Sequence, residues 1–239
     1  MSQAANKCSI RVNELFMRAR VNRSIMSYAS KRVHKMHLTQ EVAKFKVWAS
    51  RIQEPYRSGE WECDYNEWNA LYAAAVAFIE SASPETWSSS EVGDVLYAIA
   101  RDNESEYLVD KVAETPDSLL KLSCIALSSP ESDAKWQLAD RLGSLRDRVH
   151  ESEALLLEFA EDKEEYVKRR ALLALGNLKS PKTEELAERA WHTGHEYQRI
   201  AALWALKAVS SKKLPTYVQK AMEDGREHIV MNAIKVQQA

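Results

Sequence analysis

Residues 166–178 read YVKRRALLALGNL, and residues 197–209 read YQRIAALWALKAV. In the first stretch Ala171, Ala174, Leu175 and Leu178 are spaced three, one and three apart; in the second, Ala202, Ala205, Leu206 and Val209 repeat that spacing. Such spacing puts the apolar side chains on one face of a helix. The two stretches are 31 residues apart, and one further step of 31 reaches His228, Ala233 and Ile234. One step of 33 backwards aligns Lys135, Leu142, Gly143 and Leu145 with Lys168, Leu175, Gly176 and Leu178. A fixed period in this range is the signature of stacked repeats.

Each copy has an apolar helix in front of it, at 152–162, 181–194 and 213–225. Ser180-Pro181, Gly194, Pro215 and Gly225 supply the starts and stops, and Pro181 is expected in the first turn of its helix, where a missing N–H costs nothing. Upstream the periodicity fades, but helical spacing continues at 64–82, 89–102, 104–114 and 116–129. Residues 7–52 read as one or two long basic helices, and 53–66 as an irregular connection. This divides one continuous domain into a basic cap (1–52), degenerate acidic repeats (53–129) and regular repeats (130–239). Six glycines and six prolines in 239 residues are few, which disfavours a β-rich fold.

The second helices resemble HEAT repeats, whose second helix reads roughly V-R-x-x-A-x-x-A-L-G after an acidic turn. Val167, Lys168, Ala171, Ala174, Leu175 and Gly176 match it, and Lys135, Ala139, Leu142 and Gly143 match it in part. The third copy keeps Arg199, Ala202, Ala205 and Leu206 but has Lys207 where the glycine falls. The resemblance implies an all-α, right-handed solenoid with its second helices lining the concave surface. It also implies a structural duty for Lys135, Lys168 and Arg199, each bonding an acid or carbonyl at a neighbouring turn. Physically, one helix pair cannot bury its apolar stripe alone, so neighbouring repeats must cover it.

Aligned in this way, the second helices present three rows: Asp133, Tyr166, Tyr197 and His228; Trp136, Arg169, Ile200 and Met231; Asp140, Leu173, Trp204 and Lys235. Aromatic and Arg side chains on a curved face suit partner binding, which selects Trp136, Asp140, Tyr166, Arg169, Tyr197 and Trp204 as candidates. Packing against adjacent helices is the competing expectation for Ile200, Leu173 and Trp204.

Net charge is only −2, but it is segregated. Residues 1–50 carry ten basic and two acidic side chains, 51–165 carry ten and 26, and 166–239 carry thirteen and seven. A second candidate surface is the acidic, Trp-containing stretch with Glu60, Trp61, Glu62, Asp64, Glu67 and Trp68, which would suit the basic active site of a nuclease. Its alternative is a loop whose tryptophans anchor it to the core. The basic segment 18–37 either contacts an anionic partner or pairs with the acidic middle of the chain.

No phosphate loop, GxSxG or HExxH is present, and cysteines 8, 63 and 124 form no paired motif. The pairs His34/His37 and His192/His195 have no third ligand in sight. No cofactor, no metal and no catalytic set are expected, and no stretch has the length of a membrane span, so a cytoplasmic protein is the expectation. The expected function is protein binding without catalysis, in the specific form of a bacterial immunity or antitoxin protein that blocks a toxin domain. The alternatives are an adaptor in a larger assembly and a nucleic-acid-binding protein. For the last, Trp136 and Asp140, one turn apart, resemble the Trp and carboxylate of HEAT-like alkylpurine DNA glycosylases.

Overall fold

A computed structural model describes residues 33–52 and 61–238. Residues 1–32, 53–60 and 239 lie outside the described residues, and with them most of the basic segment 18–37 and Glu60. The described residues are mostly helical and contain no strand. The helices are α1 (33–49), α2 (Trp68–Ser81), α3 (Ser89–Arg101), α4 (Tyr107–Ala113), α5 (Pro116–Ala126), α6 (Ser132–Leu142), α7 (Val149–Phe159), α8 (Glu165–Leu178), α9 (Thr183–His192), α10 (Glu196–Ala208), α11 (Leu214–Asp224) and α12 (Glu227–Gln238). The architecture is an all-α solenoid.

Second helices pack on second helices: α3 on α6, α6 on α8, α8 on α10 and α10 on α12. Each of α7, α9 and α11 packs against the helix that follows it. The small residues that define the period form the shared interior, with Ala139, Ala171, Ala202 and Ala233 all fully buried. Leu142, Leu175 and Leu206 fill the spaces between them, also at 0 % exposure. Small residues at a crossing let helix backbones approach until dispersion contacts are dense.

The glycines show how close that approach is. A Cβ on Gly143 would lie 2.7 Å from the Ala174 Cβ and 2.8 Å from its Cα. A Cβ on Gly176 would lie 3.2 Å from the Ala208 Cβ and 3.3 Å from the Ala205 Cα. Gly143 is therefore demanded by contact with the next repeat, and Gly176 fits with little to spare.

Helix ends repeat as well. Lys179 and Ser210 adopt left-handed conformations at the ends of their helices, with φ of 60° and 54°. The next N–H, of Ser180 or Ser211, then reaches back to the carbonyl of Leu175 or Leu206. Ser180 and Ser211 also accept hydrogen bonds from the N–H groups of Lys182 and Lys213. These bonds satisfy carbonyls and amides that a helix end leaves orphaned. Pro181 lies in the turn before α9, two residues ahead of its first helical residue, rather than in the helix. The Ser180 cap occupies the place where the helix was expected to begin.

The less regular half follows the same plan with other parts. Thr115-Pro116 separates α4 from α5, because proline removes the N–H that would continue the helix. Both short helices pack against α6, so together they fill the first-helix place of that pair. Ser88 caps α3 with a complete capping box to Glu91, so the helix opens at Ser89, where its spacing begins. At the N-terminal end Phe45 is fully buried, with the rings of Trp48, Tyr65 and Trp68 4.6–5.3 Å away. Lys35 and Lys46 of α1 pair with Glu91 and Asp94 of α3.

Filling the Gly143 contact must push α6 and α8 apart. Gly143→Val is expected to cost about 1–3 kcal/mol, the usual penalty for overpacking. Gly176→Ala, with 3.2 Å available, should cost less. Chemical denaturation of the two variants side by side checks both the sign and the order.

Candidate functional site

Three of the aligned side chains meet on the second-helix face. The Arg169 guanidinium lies 4.5 Å from the centre of the Tyr166 ring and 4.8 Å from that of Tyr197. One tyrosine is three residues back on α8; the other comes from α10 one repeat later. The stack continues to Trp136 of α6, whose ring centre is 5.2 Å from that of Tyr166. Arg170 covers Trp136 at 5.2 Å, and His195 reaches the other end, 6.0 Å from Tyr197. Alternating cations and π faces attract through the ring quadrupole, by about 0.5–1 kcal/mol per contact at exposed sites.

Exposure varies along this stack. Tyr166 and Tyr197 are 38 % and 47 % exposed, whereas Trp136 is only 6 % exposed. The Trp136 indole N–H donates to Asp133 at 3.2 Å. The Arg169 Nε lies 3.4 Å from a Glu165 carboxylate oxygen and makes no hydrogen bond among the described residues. The two tyrosines thus hold a guanidinium in place, with its Nε buried beside Glu165. Ordered aromatic and Arg side chains at low entropic cost are the usual anchors of protein interfaces.

The remaining candidates are placed differently. Asp140 is bridged by two guanidiniums, Arg141 at 3.0 Å and Arg170 at 2.7 Å. Its carboxylate and the Trp136 ring are therefore both engaged by Arg170. Trp204 lies apart from the stack; its indole donates to Asn232 at 2.8 Å. Leu173, Ile200 and Trp204 all pack against the C-terminal core.

In the acidic stretch the aromatic side chains turn inward. Trp61 stacks on Trp48 at 5.6 Å and 10°, and Trp68 stacks on Tyr72. The Trp68 indole donates to the Glu62 carbonyl at 2.8 Å. Glu62 itself is 4 % exposed beside Arg101, and burial pushes its carboxyl above the ordinary value despite the opposing backbone hydrogen bond and the Arg101 charge. Among the described acids of this stretch, Asp64 and Glu67 reach the surface, and Glu67 lies 3.4 Å from Lys44.

Arg170 and His195 were not singled out by alignment. Arg170 is adjacent to an aligned Arg, and only the packing shows that it reaches back one repeat. His195 reads as a chance surface histidine until Gly194, with φ of 75°, turns it toward Glu165 and Tyr197.

Ion pairs beneath the surface tie successive repeats together. Lys135 pairs with Asp162 at 2.8 Å, both almost fully buried. Burial alone would raise the Asp162 pKa; the Glu164 N–H and Lys135 outweigh it and hold the carboxyl below its ordinary range. Arg199 pairs with Asp224, which also takes two hydrogen bonds from the Arg226 side chain. The Arg226 hydrogen bonds, opposed by burial and joined by Arg199, hold Asp224 well below the ordinary value.

Among the described residues no group of three or more His, Cys, Asp or Glu is placed to hold a metal ion, and no helix is long and apolar enough to cross a membrane. Residues 119–207, from within α5 to within α10, match the family model for HEAT repeats. That part of the chain is similar to HEAT repeats, and the same second-helix row continues outside the matched residues into α3 and α12. HEAT repeats commonly mediate protein–protein interaction. No curated protein and no solved structure matches the chain.

The depressed pKa of Asp224 makes stability depend on pH. Its contribution is present above the ordinary carboxyl value of 3.8 and is lost as pH falls toward the folded value. Asp224→Asn should therefore cost about 1–3 kcal/mol at pH 7. The gap between variant and wild type should narrow below pH 3.8. Urea denaturation at pH 7 and pH 3 measures it.

Proposed function

We propose that this chain is a non-catalytic solenoid that binds a protein partner, with the Tyr166–Arg169–Tyr197 stack as its anchor. The observation that carries this reading is an arginine fixed between two exposed tyrosines contributed by successive repeats. The cost of ordering those side chains is already met in the free protein.

In its specific form the proposal is an immunity or antitoxin protein that occludes a toxin's active site. What supports it is the acidic exterior of the middle segment. Asp64, Glu67, Glu85, Asp110, Glu114 and Asp117 are all exposed. All but Asp64 pair with a Lys or Arg of this chain, so the basic cleft of a nuclease would engage them in exchange for those pairs. The nucleic-acid reading has less support. The same acids would repel phosphate, and a base could stack on Trp136 only by displacing Arg170 or Tyr166.

Tagged full-length chain should capture a stoichiometric partner from its native cell at low salt. The double variant Tyr166→Ala, Tyr197→Ala should weaken that complex by about 2 kcal/mol or more. A variant that binds like wild type would remove the stack from the interface. The immunity form requires the captured partner to be inactive in the complex and active once released. An equally active bound partner would leave the binding reading and end the immunity one.

A further inference from the structure

The buried ion pairs follow the repeat register, and the middle repeat breaks it. Lys135, Lys168 and Arg199 are equivalent second-helix positions, and Asp162, Thr193 and Asp224 are equivalent turn positions, each 31 residues after the last. The outer two repeats form the pairs Lys135–Asp162 and Arg199–Asp224. The middle one sets Lys168 against a threonine.

Thr193 keeps half of the aspartate's work. Asp162 and Asp224 each accept a hydrogen bond from the N–H two residues on, Glu164 at 2.9 Å and Arg226 at 3.4 Å. The Thr193 hydroxyl accepts the same bond from His195 at 3.2 Å. The turn is preserved and the charge is not. Lys168 makes no side-chain hydrogen bond or ion pair among the described residues. The acids around it are committed elsewhere: Glu161 to Arg189, and Glu165 to Gln198, Arg169 and His195.

A cavity of about 260 Å³ opens beside this pair, with Leu172, Leu186 and Ala190 on its apolar side and Lys163, Lys168, Arg189 and Thr193 among its polar lining. It adjoins the exposed stack through Glu165 and His195, which line it too. An ammonium with no ion-pair partner, next to Lys163 and Arg189 and an apolar wall, is the complement of one carboxylate carried on an apolar stem.

We propose that this cavity is a subsite for an acidic side chain of a protein partner, whose carboxylate completes the ion pair that Thr193 omits. The proposal rests on reading the solenoid as a protein binder. It adds that the partner inserts a Glu or Asp, flanked by an apolar residue, between α8 and α9. Substituting Thr193→Asp supplies the missing acid from within, and so should neutralise Lys168 and raise Tm together.

The test uses full-length protein and the blocked peptide acetyl-Leu-Glu-Leu-Ala-amide, followed through the Lys168 side-chain NMR signals at constant ionic strength. The Glu peptide should give saturable shifts and bind about tenfold or more tighter than its Glu→Gln counterpart. Thr193→Asp should abolish the shifts, and Lys168→Met should abolish the Glu-over-Gln preference read from backbone amides of α8. Equal binding of the two peptides, or unchanged binding by Thr193→Asp, overturns the proposal. Acetate is a third arm: acetate binding as tightly as the peptide would assign the cavity to free carboxylic acids and overturn a protein side chain as occupant. The titration reads the cavity alone, so its failure leaves partner capture by the tyrosine stack standing, and loss of capture leaves the titration standing.

Discussion

Everything on the second-helix face depends on how closely neighbouring second helices approach. Gly143 sits where even a methyl group would collide with Ala174, and Gly176 sits where one barely clears Ala205 and Ala208. Fully buried alanines at 139, 171, 202 and 233 continue that seam through four helices. Packing this close gains dispersion energy, and it fixes register because ridges of small residues leave few alternative seatings. A fixed register is what allows residues 31 apart in sequence to serve as neighbours in space.

Two kinds of contact use that register. Below the surface, Lys135–Asp162 and Arg199–Asp224 lock a second helix to the next turn, and removing one partner would strand a charge. At the surface, Tyr166, Arg169 and Tyr197 line up at about the spacing of stacked rings, with Trp136 buried at one end of the stack. The buried pairs define the repeat, whereas the exposed stack is a surface the repeat carries. Where the buried series is incomplete, at Lys168 and Thr193, a structural position is freed for recognition and lies directly beside the stack.

Much of the fold was legible from the alternation of small and branched residues, because that spacing records the seam directly. Tyr166, Arg169 and Tyr197 were legible for the same reason, since alignment of the repeats put them on one face. What could not be read was the state of each side chain. Trp136 matches an exposed aromatic in spacing, yet Arg170, outside the aligned rows, covers it and also holds Asp140. The tryptophans at 61 and 68 look like a surface feature in an acidic run. They turn inward because Phe45, Trp48 and Tyr72 offer them an aromatic core that no local pattern announces. The split of α4 from α5 at Pro116 was readable as punctuation, but its place in the solenoid depends on contacts with α6 far along the chain. Thr193 was legible only as part of the helix read at 181–194; its meaning comes from the two aspartates that share its position.

The central claim is that the second-helix face is the working surface of this solenoid. The most direct measurement is the structure of the chain bound to its captured partner. The account predicts partner atoms packed on Tyr166 and Tyr197 and a partner acid within hydrogen-bond reach of the Arg169 guanidinium. A partner seated on the outer helices α7, α9 and α11, with both tyrosines left in open water, would contradict it.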